Sequence, residues 1–296
     1  MEEGVTFYSG GSRLAADLYR PDGLGNGERR PGIVLCCGYT GVKNLYLDDM
    51  ARRFAAAGFV ALTFDYKGWG QSAGLPLRLA PYGRVEDTQA ALTFLATQPQ
   101  VDPDRLGLYG ISYGGSTATF TAAIDRRVRA VVSVTGVGNG ERWLRSVRRP
   151  WEFRELVERA SRDREQQVTA GASQLVDRSD VLMLDPQSVE ISTRTRANRP
   201  GASMQVPLEM VHETIGFNPE WVVGRIAPRA ALFLTSDRDE LVPPEESAAL
   251  YDQAGEPKRL VVLRGFGHYE VFTSPALDLV MAEAIPWFER YLLDGP

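Results

Sequence analysis

Leu106-Gly107-Leu108-Tyr109-Gly110-Ile111-Ser112-Tyr113-Gly114-Gly115-Ser116-Thr117-Ala118 reads as a short apolar strand running through a glycine-flanked serine into a helix of small residues. Gly110 to Gly114 matches G-x-S-x-G. That pattern is weak by itself, because an ordinary glycine-rich turn produces it too; the strand before it and the helix after it supply the context. A serine in this position sits on a strained strand-to-helix turn, where only glycines let the backbone pass close by. Its hydroxyl is held at the carboxyl edge of a sheet and at a helix N-terminus, whose N–H groups favour negative charge. Ser112 is therefore the candidate nucleophile.

On either side of this turn, apolar runs alternate with helical spacing. Ile33–Cys37 and Phe59–Phe64 are continuous apolar runs, as expected of strands buried on both faces. Between them Leu47, Met50, Phe54 and Ala57 recur at helical spacing, stopped by Gly58. A helix is expected over Val85–Ala96, another from the serine through Ile124, and a strand over Val128–Val134. Upstream, Val5–Tyr8 and Leu14–Tyr19 flank Ser9-Gly10-Gly11-Ser12, a hairpin signal. The alternation lapses after Val134 and returns with a strand at Ala230–Leu234, a helix over Pro244–Gln253, a strand at Arg259–Leu263 and a last helix over Pro275–Leu292. Buried strands alternating with helices predict βαβ units and a mostly parallel sheet with helices on both faces. The expected core is residues 1–136 and 226–296, interrupted by an insertion at 137–225.

A serine hydroxyl is a poor nucleophile until an imidazole takes its proton. The chain holds two histidines. His268 lies in Arg264-Gly265-Phe266-Gly267-His268-Tyr269, just after the last apolar strand, where glycines allow a turn back over the sheet edge. It is the candidate base. His212, in the insertion, reads as a structural or lid histidine; it belongs to no H-E-x-x-H motif and has no cysteine nearby, so no metal site is expected. The orienting acid should follow the Ala230–Leu234 strand, where Asp237, Asp239 and Glu240 compete. Asp239 is favoured because it precedes a Leu-Val-Pro segment that turns into the next helix, whereas Asp237 suits turn hydrogen bonds. Two backbone N–H groups should bind the oxyanion, that of Tyr113 after the serine and one from Gly38-Tyr39-Thr40-Gly41, with Tyr39 the natural candidate. Such donors contribute about 3 kcal/mol each to lowering the barrier.

The insertion is rich in arginine and glutamate. Arg154/Glu158, Glu155/Arg159 and Glu158/Arg162 stand at i,i+4 spacing, which suits a solvent-facing helix; a sharper alternative is that one or two of these arginines face an anionic substrate. Trp143, Trp151, Phe153, Met204, Met210 and Trp221 are candidates for an apolar acyl pocket, although a small helical insertion must also bury a core of its own.

The 296 residues suffice for a full core, and 44% hydrophobic with 24% charged side chains is ordinary for a globular protein. A net charge of −5 advertises neither nucleic acid nor an anionic membrane as partner. Adjacent Cys36 and Cys37 point to opposite faces of a strand and are read as buried fillers in a reducing compartment. No basic-then-apolar leader opens the chain and no apolar run approaches ~20 residues, so a cytoplasmic protein without a membrane span is expected. Self-association is left open.

Several segments together resemble the α/β-hydrolase superfamily, and more narrowly its dienelactone-hydrolase-like and Xaa-Pro-dipeptidyl-peptidase-like branch. They are Asp17-Leu18-Tyr19-Arg20-Pro21, Gly38-Tyr39-Thr40-Gly41, Phe64-Asp65-Tyr66-Lys67-Gly68-Trp69-Gly70-Gln71-Ser72, the Ser112 elbow, and the Asp239 and His268 segments. The resemblance implies an α/β-hydrolase fold with a Ser112–His268–Asp239 triad, a structural turn around Asp65, and a helical cap formed by the insertion after the sixth core strand. Two departures stand out. The family's usual His-Gly before the oxyanion residue is Cys37-Gly38 here, and Lys67 stands where arginine is commoner. The expected activity is hydrolysis of a carboxylic ester or thioester on a small-molecule acyl substrate, with no metal or organic cofactor. Acyl transfer to an alcohol or amine is the nearest rival; C–C bond hydrolysis and a catalytically silent binding protein are further alternatives.

Overall fold

The computed structural model describes residues 1–296 except 26, 198, 200 and 294–296. β1 (Glu2–Ser9) and β2 (Ser12–Tyr19) form the expected hairpin, closed by Gly10 and Gly11. Both glycines have positive φ, 51° and 79°, which gives the twist that two-residue hairpin turns require. The chain then runs through β3 (Arg30–Cys36), α1 (Leu47–Ala56), β4 (Val60–Phe64), α2 (Pro81–Ala96), β5 (Val101–Ile111), α3 (Tyr113–Ile124) and β6 (Val128–Val134). Residues 135–229 leave the sheet. They form α4 (Gly140–Ser146), α5 (Pro150–Ala170), β7 (Leu175–Asp177), α6 (Arg178–Val181), α7 (Pro186–Ala197), β8 (Gln205–Pro207), α8 (Met210–Ile215) and two short 3₁₀ turns. β9 (Ala230–Ser236), α9 (Pro244–Gln253), β10 (Lys258–Leu263) and α10 (Ala276–Phe288) complete the fold.

Eight strands make one sheet in the order β1-β2-β4-β3-β5-β6-β9-β10. β1 and β2 run antiparallel and the other six are parallel, as the βαβ alternation predicts. β7 and β8 pair separately as a two-stranded ribbon. Every residue of β4 and β9 is buried, which explains why these strands read as unbroken apolar runs. The strand order reverses direction at β3. Because crossovers are right-handed, α1 lies on one face while α2, α3 and α9 lie on the other. α10 returns to pack beside α1. Among the described residues no helix is long and apolar enough to cross a membrane.

Two elements start four or more residues before the sequence expectation. α2 starts at Pro81 rather than Val85, because proline is favourable in the first turn even though apolar spacing begins later. β5 starts at Val101 rather than Leu106, pairing with Arg30 before an irregularity that leaves Pro103, Asp104 and Arg105 without partners on β3. On α5 the solvent-facing reading holds for Arg154, Glu158 and Arg162, which are exposed. Arg159, however, reaches Asp180 at 3.5 Å rather than Glu155.

α10 comes close to the sheet where Gly107 leaves room for it. A methyl group there would lie 2.7 Å from Phe288 Cε1 and 3.1 Å from Leu292 Cδ1. Gly107→Ala is expected to lower unfolding free energy by about 1–3 kcal/mol through overpacking, read from denaturant midpoints. A change below ~0.3 kcal/mol would mean α10 yields without cost.

Candidate active site

Ser112 joins β5 to α3 with φ 53° and ψ −131°, a backbone conformation that a residue with a side chain adopts only under strain. Its surroundings explain why the flanking residues are glycines. A Cβ on Gly110 would sit 2.2 Å from the Gly114 carbonyl oxygen, and one on Gly114 would sit 2.1 Å from that of Cys36. The turn is held by hydrogen bonds from Ser112 N–H to Val134 O and from Gly115 N–H to Ser112 O, both 2.8 Å. Tyr113 is the first residue of α3, where a helix leaves its N–H unsatisfied within the helix.

His268 follows β10 and Asp239 follows β9, so both arrive at the same sheet edge as Ser112. His268 Nε2 lies 3.0 Å from Ser112 Oγ and Nδ1 lies 2.7 Å from Asp239 Oδ2. The other Asp239 oxygen accepts the N–H groups of Leu241 and Val242 at 3.1 and 2.7 Å. These donors fix the orientation of the carboxylate. His268 and Asp239 are both buried, and the rings of Tyr269 and Phe272 meet the imidazole edge-on. Asp237 is exposed and accepts Gly265 N–H at 2.7 Å, a bond that ties the loop after β9 to the loop after β10 rather than the local turn bond expected of it. Glu240 is exposed as well.

The loop after β3 lies directly against the serine: a Cβ on Gly38 would be 3.3 Å from Ser112 Cβ. Arg84, buried on α2, donates Nη1 to Gly38 O at 3.0 Å and to Cys37 O at 3.4 Å, and Nη2 to Tyr39 O at 2.8 Å. In a trans peptide the C=O and N–H point opposite ways. Drawing the Gly38 carbonyl toward Arg84 therefore turns the Tyr39 N–H away from α2. The Cys37 thiol donates to Gly41 O at 3.1 Å and closes the loop. Burial pushes that thiol up to about 12 and the Cys36 thiol up to about 11, so neither is a thiolate nucleophile near neutral pH. Sequence reading notes the Cys37-Gly38 departure but not the arginine that supports the loop.

The Asp65 segment is a structural turn. Its carboxylate accepts Lys43 N–H at 2.7 Å and Gln71 N–H at 2.9 Å. A side chain on Gly70 would strike Asp65 Oδ2 at 2.2 Å. Lys67 pairs with Glu86 and Asp87 at 2.7 and 3.2 Å.

A cavity of about 30 Å³ opens beside Ser112 and His268, lined also by Tyr39, Trp143, Arg178 and Arg196. Among the side chains nominated for an acyl pocket, Trp143 is the one that lines it; its indole donates to Leu241 O at 2.7 Å. Trp151 and Trp221 point to solvent, 52% and 72% exposed. Met210 opens α8 and is buried, and Phe153 lines a separate groove between α5 and α8, which also holds His212. Met204 is exposed. Apolarity marks a side chain as able to line a pocket, but the face it occupies is set by tertiary packing. Among the described residues, no group of three or more His, Cys, Asp or Glu side chains is placed to hold a metal ion.

Known proteins share this architecture. The sequence profile described as X-Pro dipeptidyl-peptidase (S15 family) matches residues 10–269. Polyketide transferase claH of Penicillium crustosum is 29% identical over 297 residues, covering 95% of this chain and 94% of its own. A thiohydrolase of Eupenicillium brefeldianum is 24% identical over 280 residues, covering 91% and 87%. The crystal structure of the α/β hydrolase GrgF from Penicillium sp. sh18 superposes with a TM-score of 0.82 at 22% identity, over 99% of each chain. With the family profile spanning most of its length, the chain belongs to the X-Pro dipeptidyl-peptidase (S15) family and is an enzyme of the α/β-hydrolase kind.

Proposed function

We propose that this enzyme hydrolyses a carboxylic ester or thioester through an acyl-enzyme on Ser112. The observation that carries this reading is the continuous hydrogen-bonded line from Asp239 Oδ2 through both ring nitrogens of His268 to Ser112 Oγ, at 2.7 and 3.0 Å. Ser112 Oγ attacks the carbonyl carbon while His268 Nε2 takes its proton. Asp239 holds the proton on Nδ1 and stabilises the imidazolium that forms. The N–H groups of Tyr39 and Tyr113 receive the oxyanion. The imidazolium then protonates the departing alcohol or thiol. A water, deprotonated by His268, attacks the acyl-serine to release the acid and restore the hydroxyl.

In this reading residues 137–225 act as a cap on a core of 1–136 and 226–296, supported by the contribution of Trp143, Arg178, Leu182 and Arg196 to the cavity at the serine. The cavity, about 30 Å³, has room for a few water molecules, and in this reading the cap moves outward as a larger substrate enters. The thiohydrolase and the polyketide transferase among the relatives favour a thioester donor. The transferase also supports a second reading, in which an alcohol or amine replaces water in the same enclosed site. Incubation with an acyl thioester and candidate acceptors separates the two through the ratio of ester or amide to free acid. The binding-protein alternative loses support, since no member of the Ser–His–Asp line is missing.

A fluorophosphonate is expected to add covalently to the wild type and not to Ser112→Ala, read by intact mass. The same substitution should cut turnover of an activated ester by at least ~10⁴-fold with the fold intact. An unlabelled wild type would overturn the nucleophile assignment. Asp239→Asn should lower kcat by ~10³-fold or more, whereas Asp237→Asn should stay within about threefold; the reverse ranking would reassign the acid. Arg84→Met is expected to lower kcat by ~10–100-fold with KM shifted less than about threefold, because it acts on the orientation of one oxyanion donor. A loss confined to KM would make Arg84 a substrate-binding residue instead.

A further inference from the structure

Two arginines in the segment between β6 and β9 are buried against the cavity that holds Ser112 and His268. Arg178 opens α6 and is 2% exposed; Arg196, in the last turn of α7, is 7% exposed. Arg178 donates Nη1 to Ser192 Oγ at 3.0 Å and Nη2 to the Tyr269 hydroxyl at 2.6 Å. Its Nε–H is buried with no partner among the described residues. Arg196 donates Nε to Ser192 Oγ at 3.3 Å and Nη1 to Thr40 O at 2.8 Å. All of these acceptors are neutral oxygens. Among the described residues no carboxylate is in ion-pair contact with either guanidinium, although such contacts are frequent elsewhere in the chain.

Other inward-turned arginines here have a structural task. Arg84 holds three backbone carbonyls and Arg229 four, and Arg84 also lies over the Tyr66 ring at 4.2 Å. Arg178 binds no carbonyl, and neither Arg84 nor Arg229 lines the cavity at the serine. Two like charges sharing the Ser192 hydroxyl in a desolvated pocket are costly, and an anionic partner relieves both the burial and the repulsion. The surroundings respond accordingly. Burial, with Arg178 beside it, pulls the Arg196 guanidinium down to about 10. Burial opposes ionisation of the Tyr269 phenol, but the charges of Arg178 and Arg196 and the Arg178 hydrogen bond outweigh it and hold the phenol below its ordinary range.

We propose that Arg178 and Arg196 form a carboxylate subsite beside Ser112, so that the substrate is a monoanion carrying a free carboxylate in addition to its scissile ester or thioester. A planar carboxylate matches the forked guanidinium donors. The proposal rests on the acyl-enzyme reading for what is cleaved, but not for what is bound.

Calorimetry on Ser112→Ala tests binding without turnover, using monomethyl succinate, glutarate and adipate against their dimethyl esters and inorganic phosphate. At least one half-ester should bind ~30-fold or more tighter than its neutral diester, from charge-assisted hydrogen bonds. Arg178→Met and Arg196→Met, each in that background, should reduce this ratio below about threefold. The comparison of half-ester with diester needs no arginine substitution, so a variant that fails to fold does not blunt it. Equal affinity for half-ester and diester overturns the subsite, and so does phosphate binding tighter than every half-ester. Wild type that hydrolyses neutral and anionic thioesters equally removes the subsite and leaves the Ser112 chemistry standing. Tight half-ester binding with no turnover by wild type does the reverse.

Discussion

The chain can pass from β5 into α3 at Ser112 because the residues around that turn have no side chains. The carbonyl of Cys36 stands where a Cβ on Gly114 would be, and the carbonyl of Gly114 stands where one on Gly110 would be. This close approach does three things at once. It drives Ser112 into a positive-φ conformation, at a strain of about 1–3 kcal/mol, and so points its hydroxyl off the sheet edge. It leaves the N-terminus of α3 facing the same space. It also brings the loop after β3 into contact with the serine, so that in the proposed mechanism the second oxyanion donor follows a neighbouring strand. The His268 and Asp239 loops need only follow their own strands to the same edge.

The loop after β3 has turn bonds of its own, Gly41 N–H to Gly38 O at 3.1 Å and the Cys37 thiol to Gly41 O, and its carbonyls are also held from outside. Arg84 takes the carbonyls of Cys37, Gly38 and Tyr39, while Arg196 takes that of Thr40. The first belongs to a core helix and the second to the segment between β6 and β9. The carbonyl of the peptide that carries the Tyr39 N–H is thus held by a core helix. The neighbouring Thr40 peptide is tied to the inserted segment. Tyr39 adds a further tie: its hydroxyl pairs with Thr214 at 2.6 Å and its ring meets Trp143 edge-on. The loop is thus held from both the core and the inserted segment.

How much of this is readable from sequence depends on whether the signal is local. The glycine-flanked serine, the buried strands and the Gly10-Gly11 hairpin all carry their meaning within a dozen residues, so the parallel sheet and the elbow are legible. Asp239 can be ranked above Asp237 because the following Leu-Val-Pro segment sets which carboxylate turns inward. Arg84 is not legible. It looks like any helix arginine, and its acceptors lie some 45 residues away on another element. Trp151 and Trp221 mislead for the same reason in reverse, since their apolarity is local and their outward orientation is tertiary. In the insertion, abundant charge draws attention to α5, whose arginines are largely solvated, while the buried pair belongs to α6 and α7. Burial of a cation leaves no mark in composition.

That buried pair also bears on how the enzyme would close. Replacing a buried ion by an apolar side chain of similar volume is often neutral or stabilising, so the packing of the inserted segment gives no reason to place two guanidinium groups there. Their desolvation makes the arrangement with α6 and α7 against the site less favourable than an apolar lining would. An anion between them removes much of that cost and a neutral molecule does not. A ligand shifts a conformational equilibrium only by its differential affinity for the two states. On the carboxylate proposal, a monoanion therefore favours the closed arrangement in which Tyr39, Trp143 and His268 enclose Ser112, and a neutral ester of the same shape leaves the balance where it was. Discrimination would then be exercised at closure, before the serine attacks, by the same charges that burden the segment when the site is unfilled.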